Sequence, residues 1–358
     1  MRRSFALSGV LSIGLMLALP AAAAKPLYRS FKDFVVGCDN VQSCHAEGLA
    51  EEPGGENPLV LELWRDAGPE GKGVLSLGAG QKFSPKALQV DGKAAPELSA
   101  LPWREDDGDA ECAWRLEDPA AIARFLAAVR NAKRVTVGAG ESQSSLSLNG
   151  LSATLLLIDD TQGRLGTQTA WLRVGPKPAS AVPPAPAVPV LASAPKPGTP
   201  LTAAQAKALG AKLRKAQAQA LRHEECDVDP ANLPPDEAFA LGAHEALVLL
   251  GCNMGAYNEG YLAFRTPRDG AGASKRLVLE VPQTEKTDPT TMSNFTAPSY
   301  DPGTGTFSQF DKGRGIGDCG VSASWRFDGE RFVLSAYAML DRCGGVAPGD
   351  FVTLYRTK

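Results

Sequence analysis

Residues 175–200 read GPKPASAVPPAPAVPVLASAPKPGTP, and no regular element can run through them. Proline lacks the amide N–H that a strand ladder or a helix interior requires, and its repetition among alanine and valine favours extended polyproline geometry. The stretch therefore divides the chain. It reads as a semi-stiff spacer between two domains, residues 25–174 and residues 201–358. A total of 358 residues is enough for two separate cores.

The first 24 residues have the form of an export signal. Arg2 and Arg3 give a positive start, Phe5 to Leu19 form a short apolar run, and Pro20-Ala21-Ala22-Ala23-Ala24 supplies small residues for cleavage. The run is too short to cross a bilayer, and no stop-transfer pattern follows. Arg2-Arg3-Ser4-Phe5 also matches the core of a twin-arginine signal, though the very short stretch before it favours an ordinary charged start. The expectation is a mature chain from about Lys25 that is soluble in the periplasm. There, a proline-rich ligand for a signalling module has little use, which supports the spacer reading. Losing Arg2 and Arg3 takes the formal charge from −3 to about −5. Such mild acidity without a basic stripe argues against nucleic acid as a partner.

The local patterns predict an α+β fold. In the first domain, Phe31 to Gly37, Leu59 to Trp64, Val74 to Leu77, Arg134 to Val137 and Thr167 to Val174 read as strands. Asp118-Pro119 opens a helix, with aspartate as cap and proline in the first turn, and Ile122, Phe125, Leu126 and Val129 form its apolar stripe. A second helix starts at Ser152 and ends at Gly163. In the second domain, Thr202 and Gln205 match a capping box that opens an alanine-rich helix to about Arg222. From Phe239 onward the pattern is strand and turn, including an Asp328-Gly329 hairpin turn and a turn from Tyr300 to Gly305. This half is expected to be a mostly antiparallel meander closed into a small barrel or a sandwich.

Seven cysteines in an oxidising compartment should pair, leaving one over. Cys38 and Cys44 flank a loop short enough to bring two strand ends together, so a Cys38–Cys44 bond is expected. Cys226–Cys252 and Cys319–Cys343 are the favoured pairs of the second domain. Cys112 is then the odd one, expected to be buried against Trp114. Metal binding is the competing reading, but Cys38, Cys44 and His45 lack zinc-site spacing, and His223 with Cys226 has no second pair. No Cys-x-x-Cys motif marks a redox enzyme.

Little else points to chemistry. His244-Glu245 begins like a zinc-protease helix, but Val248 stands where the second histidine belongs. Asp106-Asp107-Gly108-Asp109 and Asp159-Asp160 lack the spaced ligands of a calcium loop and read as solvated turns. The run from Lys312 to Gly320 alternates glycine, so its amides can converge into an anion-binding nest flanked by Lys312 and Arg314. A tight connection pinned at Cys319 is the favoured reading of those glycines. Tyr257 and Asn258, in a polar break between apolar strands, read likewise as a turn. Lys312, Arg314, Asp318, Tyr257 and Asn258 are nevertheless the candidate binding residues. No catalytic residue, metal set or cofactor is expected.

Val36-Gly-Cys38-Asp-Asn40 with Cys44, Ile158 to Thr167, Gly255-Ala-Tyr257-Asn258, Gly313 to Gly320, Cys343 to Asp350 and Leu354-Tyr355-Arg356 together resemble a family of exported bacterial proteins, domain of unknown function 1176. The resemblance runs in one order over nearly the whole mature chain. It implies an exported two-part protein and brings no activity, cofactor or catalytic residue. The first domain also resembles, more distantly, the invasion-associated locus B proteins. The leading expectation is a non-enzymatic envelope protein that binds another periplasmic protein or a cell-wall component. The alternative is a periplasmic hydrolase using scattered carboxylates.

Overall fold

The computed structural model describes residues 24–49, 58–106, 113–227, 229–286 and 290–358. Residues 1–23 of the expected signal, Cys112 and residues 107–109 of the aspartate-rich turn lie outside them.

The first half is built on a sheet of strands β1 (Leu27–Phe31), β2 (Phe34–Cys38), β3 (Cys44–Gly48), β4 (Leu59–Arg65), β5 (Gly73–Ala79) and β6 (Ala113–Leu116), in that order, with Arg104–Glu105 on the far edge. Every neighbouring pair is antiparallel. The stretch expected as one strand from Phe31 to Gly37 is a hairpin, because Lys32 takes a positive φ of 55° and turns the chain between Phe31 and Phe34.

Strand side chains alternate between faces, so one sheet presents two different surfaces. Leu61, Leu63, Leu75 and Leu77 point to one side, where they meet helix α1 (Pro119–Val129) through Ile122, Phe125, Leu126 and Val129. Helix α2 (Leu151–Thr161) covers the same side with Leu155 and Ile158. Each such fully buried side chain contributes roughly 1.5–3 kcal/mol of transfer free energy. The α1 cap is as the sequence indicates: the Asp118 carboxylate accepts from the Ala121 amide at 2.8 Å. Strands β7 (Arg134–Val137) and β8 (Ser144–Ser147) form a smaller sheet beside them.

Thr167 to Val174 does not form the expected strand. The buried Asp159 carboxylate accepts from three successive amides, those of Trp171, Leu172 and Arg173, and takes the donors a ladder would need. The segment folds on itself instead, with only an isolated bridge between Thr167 and Lys177.

In the second half, the Thr202–Gln205 capping box opens α3 (Ala203–Ala216), and a break at Gln217 separates it from α4 (Ala218–His223). Leu209, Leu213 and Leu221 pack on Val248, Leu250 and Phe264 of a sheet formed by β9 (Glu237–Ala240), β10 (Glu245–Met254) and β11 (Glu259–Pro267). A last five-stranded sheet runs β12 (Ser299–Asp301), β13 (Thr306–Lys312), β14 (Gly320–Phe327), β15 (Phe332–Leu340) and β16 (Val352–Arg356), each antiparallel to the next. The fold is therefore α+β. The expected small barrel is not formed: β12 and β16 are the two ends of an open sheet, and among the described residues they do not pair. All three expected disulfides are present, Cys38–Cys44, Cys226–Cys252 and Cys319–Cys343.

The halves share a hydrophobic core. Tyr28, Val35 and Val60 on the outer face of the first sheet join Leu249, Tyr261, Phe307, Trp325 and Leu354 from the second half. Strand β16 lies so close to β2 that a Cβ on Gly37 would sit 2.4 Å from Val352 Cγ1. Polar contacts close the seam. Asn40 exchanges two hydrogen bonds with the Arg356 backbone, at 3.0 and 2.9 Å. Asp39 pairs with the Arg356 guanidinium, and the Tyr28 hydroxyl donates to Asp341 at 2.7 Å. The proline-rich segment runs along this body, where Leu191 and Lys358 make backbone hydrogen bonds to each other's neighbourhood (Leu191 N–H to Lys358 O, Lys358 N–H to Pro189 O) and Val182 is buried.

Candidate functional site

The structure brings the five binding candidates together where the β10–β11 turn meets the β13–β14 turn. The Asn258 side chain donates to Asp311 and to the Lys312 carbonyl, both at 2.9 Å, and accepts from the Lys312 amide at 3.3 Å. The Tyr257 hydroxyl donates to the Gly313 carbonyl at 3.2 Å. Arg314 grips Asp318 with two parallel hydrogen bonds of 2.6 and 2.5 Å. The amides of Gly313 and Gly317 donate to carbonyls within the same turn, to Cys319 and Arg314. These polar atoms largely answer one another. Burial pushes the Asp318 carboxyl up, but the Arg314 guanidinium and the Gly345 amide outweigh it and hold it below the ordinary carboxylate range.

That Gly345 contact, 2.8 Å from Asp318, leads to a different place. Residues 343–350 fold from the Cys319–Cys343 bond back onto the first half. A Cβ on Gly345 would meet Pro58 at 2.5 Å, and one on Gly344 would meet Leu49 at 2.6 Å. Between this loop and the outer face of β3, β4 and β5 lies a cavity of about 250 Å³, lined among others by Glu47, Glu62, Ser76, Gly78, Val346 and Asp350.

Its chemistry follows from strand register. His45 and Glu47 are two apart on β3, so both leave the same face, and Glu47 stands directly opposite Glu62 on β4. His45 stands opposite Trp64, and their rings stack with centroids 3.6 Å apart. His45 Nε2 lies 2.8 Å from Glu47 Oε1 and 3.1 Å from Glu62 Oε1. These are charge contacts rather than aligned hydrogen bonds. His45 Nδ1 and Glu47 Oε2 are buried with no hydrogen-bond partner among the described residues. The His45 and Glu47 side chains are each only 1% exposed. Trp64 Nε1 donates to Glu62 Oε1 at 2.6 Å and holds that carboxylate in place.

Proton affinities in the cluster are pushed apart. Burial disfavours the His45 imidazolium, but the Glu47 and Glu62 carboxyls outweigh it and raise the group to about 10. Burial drives the Glu47 carboxyl up to about 8, against the pull of His45. Burial also acts on Glu62, yet His45 and Trp64 keep it below the ordinary carboxylate range. Asp350, across the cavity, is raised to about 6 by burial and by the negative charge of Glu62. The cluster holds one basic group against three acids, so it suits a positively charged or donor-rich guest.

Sequence reasoning had His45 among possible ligands, but with the wrong companions. Cys38 and Cys44 are bonded to each other, and Cys44 leaves β3 on the opposite face from His45. Glu47, Glu62 and Asp350 were missed. The available signal was the alternation in Cys44-His-Ala-Glu47 and in Leu61-Glu-Leu63, which places polar residues on one face of two adjacent strands. A half-solvated sheet gives the same pattern, and only the covering loop from Cys343 to Asp350 makes that face buried.

Comparison of the sequence with known proteins places the chain in a family. A relative in Escherichia coli (strain K12), the uncharacterized protein YpfG, is 34% identical over 349 residues, covering 94% of each chain. No solved structure matches. The sequence profile of the family described as protein of unknown function DUF1176 matches residues 28–358, a span that takes in both halves, the seam and the acidic cleft, and the chain belongs to that family.

Proposed function

We propose that this protein is an exported, non-enzymatic binding protein of the cell envelope, and that the cleft at the seam between residues 25–174 and 201–358 is its binding site. In this reading residues 175–200 connect the two units along their common surface. One observation carries it: a cavity whose wall presents the buried Glu47, its Oε2 without a hydrogen-bond partner among the described residues, beside Glu62 and Asp350. Buried polar atoms without partners are costly, and a guest that supplies donors or positive charge relieves that cost. Lys312, Arg314, Asp318, Tyr257 and Asn258 then serve as the support of the 343–350 wall, through the Asp318–Gly345 contact.

Native mass spectrometry of the full chain, expressed with its own residues 1–24 and purified from periplasmic extract, tests the proposal. The expected result is a processed chain carrying an adduct that a Gly78→Leu variant lacks. A Cβ on Gly78 meets only Ala113, at 3.9 Å, so leucine there fills the cavity without displacing the main chain. Identical adduct-free masses for both proteins would sink the reading, and recovery only from cytoplasm would sink the export.

A hydrolase is the second reading, favoured by one observation: Glu47 is pushed up to about 8 beside a Glu62 held low, the separation that assigns acid and base in a carboxyl pair. Release of reducing ends or free amines from cell-wall fragments, abolished by Glu47→Gln, would favour it over the binder.

A further inference from the structure

We propose that His45, Glu47 and Glu62 form a site for one divalent transition-metal ion, with a coordination position open to the cleft. The inference rests on reading the cleft as a binding site, and names its guest.

Three observations carry it. The first is placement. A two-residue spacing on β3 and a cross-strand pair to β4 set one imidazole and two carboxylates on a single sheet face. Their donor atoms all lie within 4.8 Å of one another. Donors bound at 2.0–2.2 Å to a tetrahedral ion stand about 3.4 Å apart. The 2.8 and 3.1 Å from His45 Nε2 to its two carboxylate neighbours are close to that spacing, so small side-chain adjustments admit an ion.

The second is the lack of partners. Glu47 is almost wholly buried and lines the cavity, yet its Oε1 has only the charge contact with His45 and its Oε2 has no hydrogen-bond partner among the described residues. Buried carboxylates are ordinarily satisfied by several donors, and a cation replaces those donors at once. The third is the surrounding shell. Trp64 fixes the imidazole by stacking and fixes Glu62 through its indole N–H, the kind of outer support that ligating side chains receive in metal sites. A mixed nitrogen and carboxylate set without thiolate suits Zn²⁺, Mn²⁺ or Fe²⁺ better than Mg²⁺ or Ca²⁺, which take oxygen alone. The other group of possible ligands, Asp318 with Cys319 and Cys343, is not a rival, because its two sulfurs are bonded to each other.

The test uses the same purified full chain, stripped with chelator and titrated with ZnCl₂ by calorimetry, followed by X-ray absorption at the zinc edge. Saturable binding of one ion per chain is expected, with a first shell of nitrogen and oxygen. Glu62→Gln should weaken binding by at least about tenfold, and His45→Gln further, since each removes a direct ligand. Glu62 is partly exposed, so its variant keeps the fold even if the buried His45→Gln does not; near-UV circular dichroism checks this. Absence of one-to-one binding, unchanged affinity in folded Glu62→Gln, or sulfur in the first shell would each overturn the site. If zinc fails while an organic adduct survives in the native spectrum and is lost in Gly78→Leu, the metal assignment falls and the binding reading stands.

Discussion

Replacing Asp318 by asparagine removes the ionic grip of Arg314 while keeping side-chain volume, and weakens the acceptor for the Gly345 amide. The expected loss is about 2 kcal/mol, read as a shift of the urea midpoint, since one partner of the pair is buried and the other partly solvated. Its pH dependence has a definite sign. The Asp318 carboxyl is held below the ordinary range, so the folded protein takes up that proton later than the unfolded chain. The stabilisation is complete above the unfolded carboxyl value of about 4 and fades as pH falls through the lower folded value. Urea midpoints between pH 5 and pH 2 should therefore fall more steeply for the native protein than for Asp318→Asn; parallel curves would refute the coupling. Residues like this one were legible in part. Arg314 and Asp318 stood out because glycines surround them, but glycine spacing shows only that the backbone turns tightly. It does not show that the two side chains spend their charges on each other.

Among the elements, Gly37 gives the sharpest expectation. It stands where β16 crosses β2, and a methyl group there would collide with Val352 and Leu354. Gly37→Ala should destabilise by about 1–3 kcal/mol, the usual cost of overpacking a fitted contact, as measured by chemical denaturation. Serine at both Cys319 and Cys343 should cost about 3 kcal/mol, because the bond closes a loop with a sequence separation of 24. It should also release the 343–350 wall, so amides from Gly344 to Asp350 would lose hydrogen-exchange protection. Local signals announced the elements that depend on local chemistry. Asp118 and Thr202 cap their helices, and Asp328 accepts from the Glu330 and Arg331 amides in the expected hairpin turn. Where a distant group decides, the sequence misleads. Thr167 to Val174 has strand composition, but Asp159 takes its amides. The acidic cleft is similar, because β3 is polar on a face that another part of the chain closes over.

At the scale of the molecule, the shared core makes the two halves depend on each other. Val35 and Val60 are buried by residues of the second half, and Leu354 is buried by the first. Heating should therefore give one calorimetric transition, and residues 25–174 expressed alone should bind hydrophobic dyes and aggregate. Two well-separated transitions would show independent domains instead. Strand β16 adds a matter of timing. A ribosome makes Val352–Arg356 long after β2, yet the two strands lie against each other. Until β16 arrives, the part of the first sheet's outer face over Gly37 that Val352 and Leu354 cover stays open, however early the sheet's own hairpins form. The nascent sheet thus keeps an adhesive patch until β16 has been made, and the strand works as a closing latch: deleting Val352–Arg356 should leave a chain that its producing cell degrades.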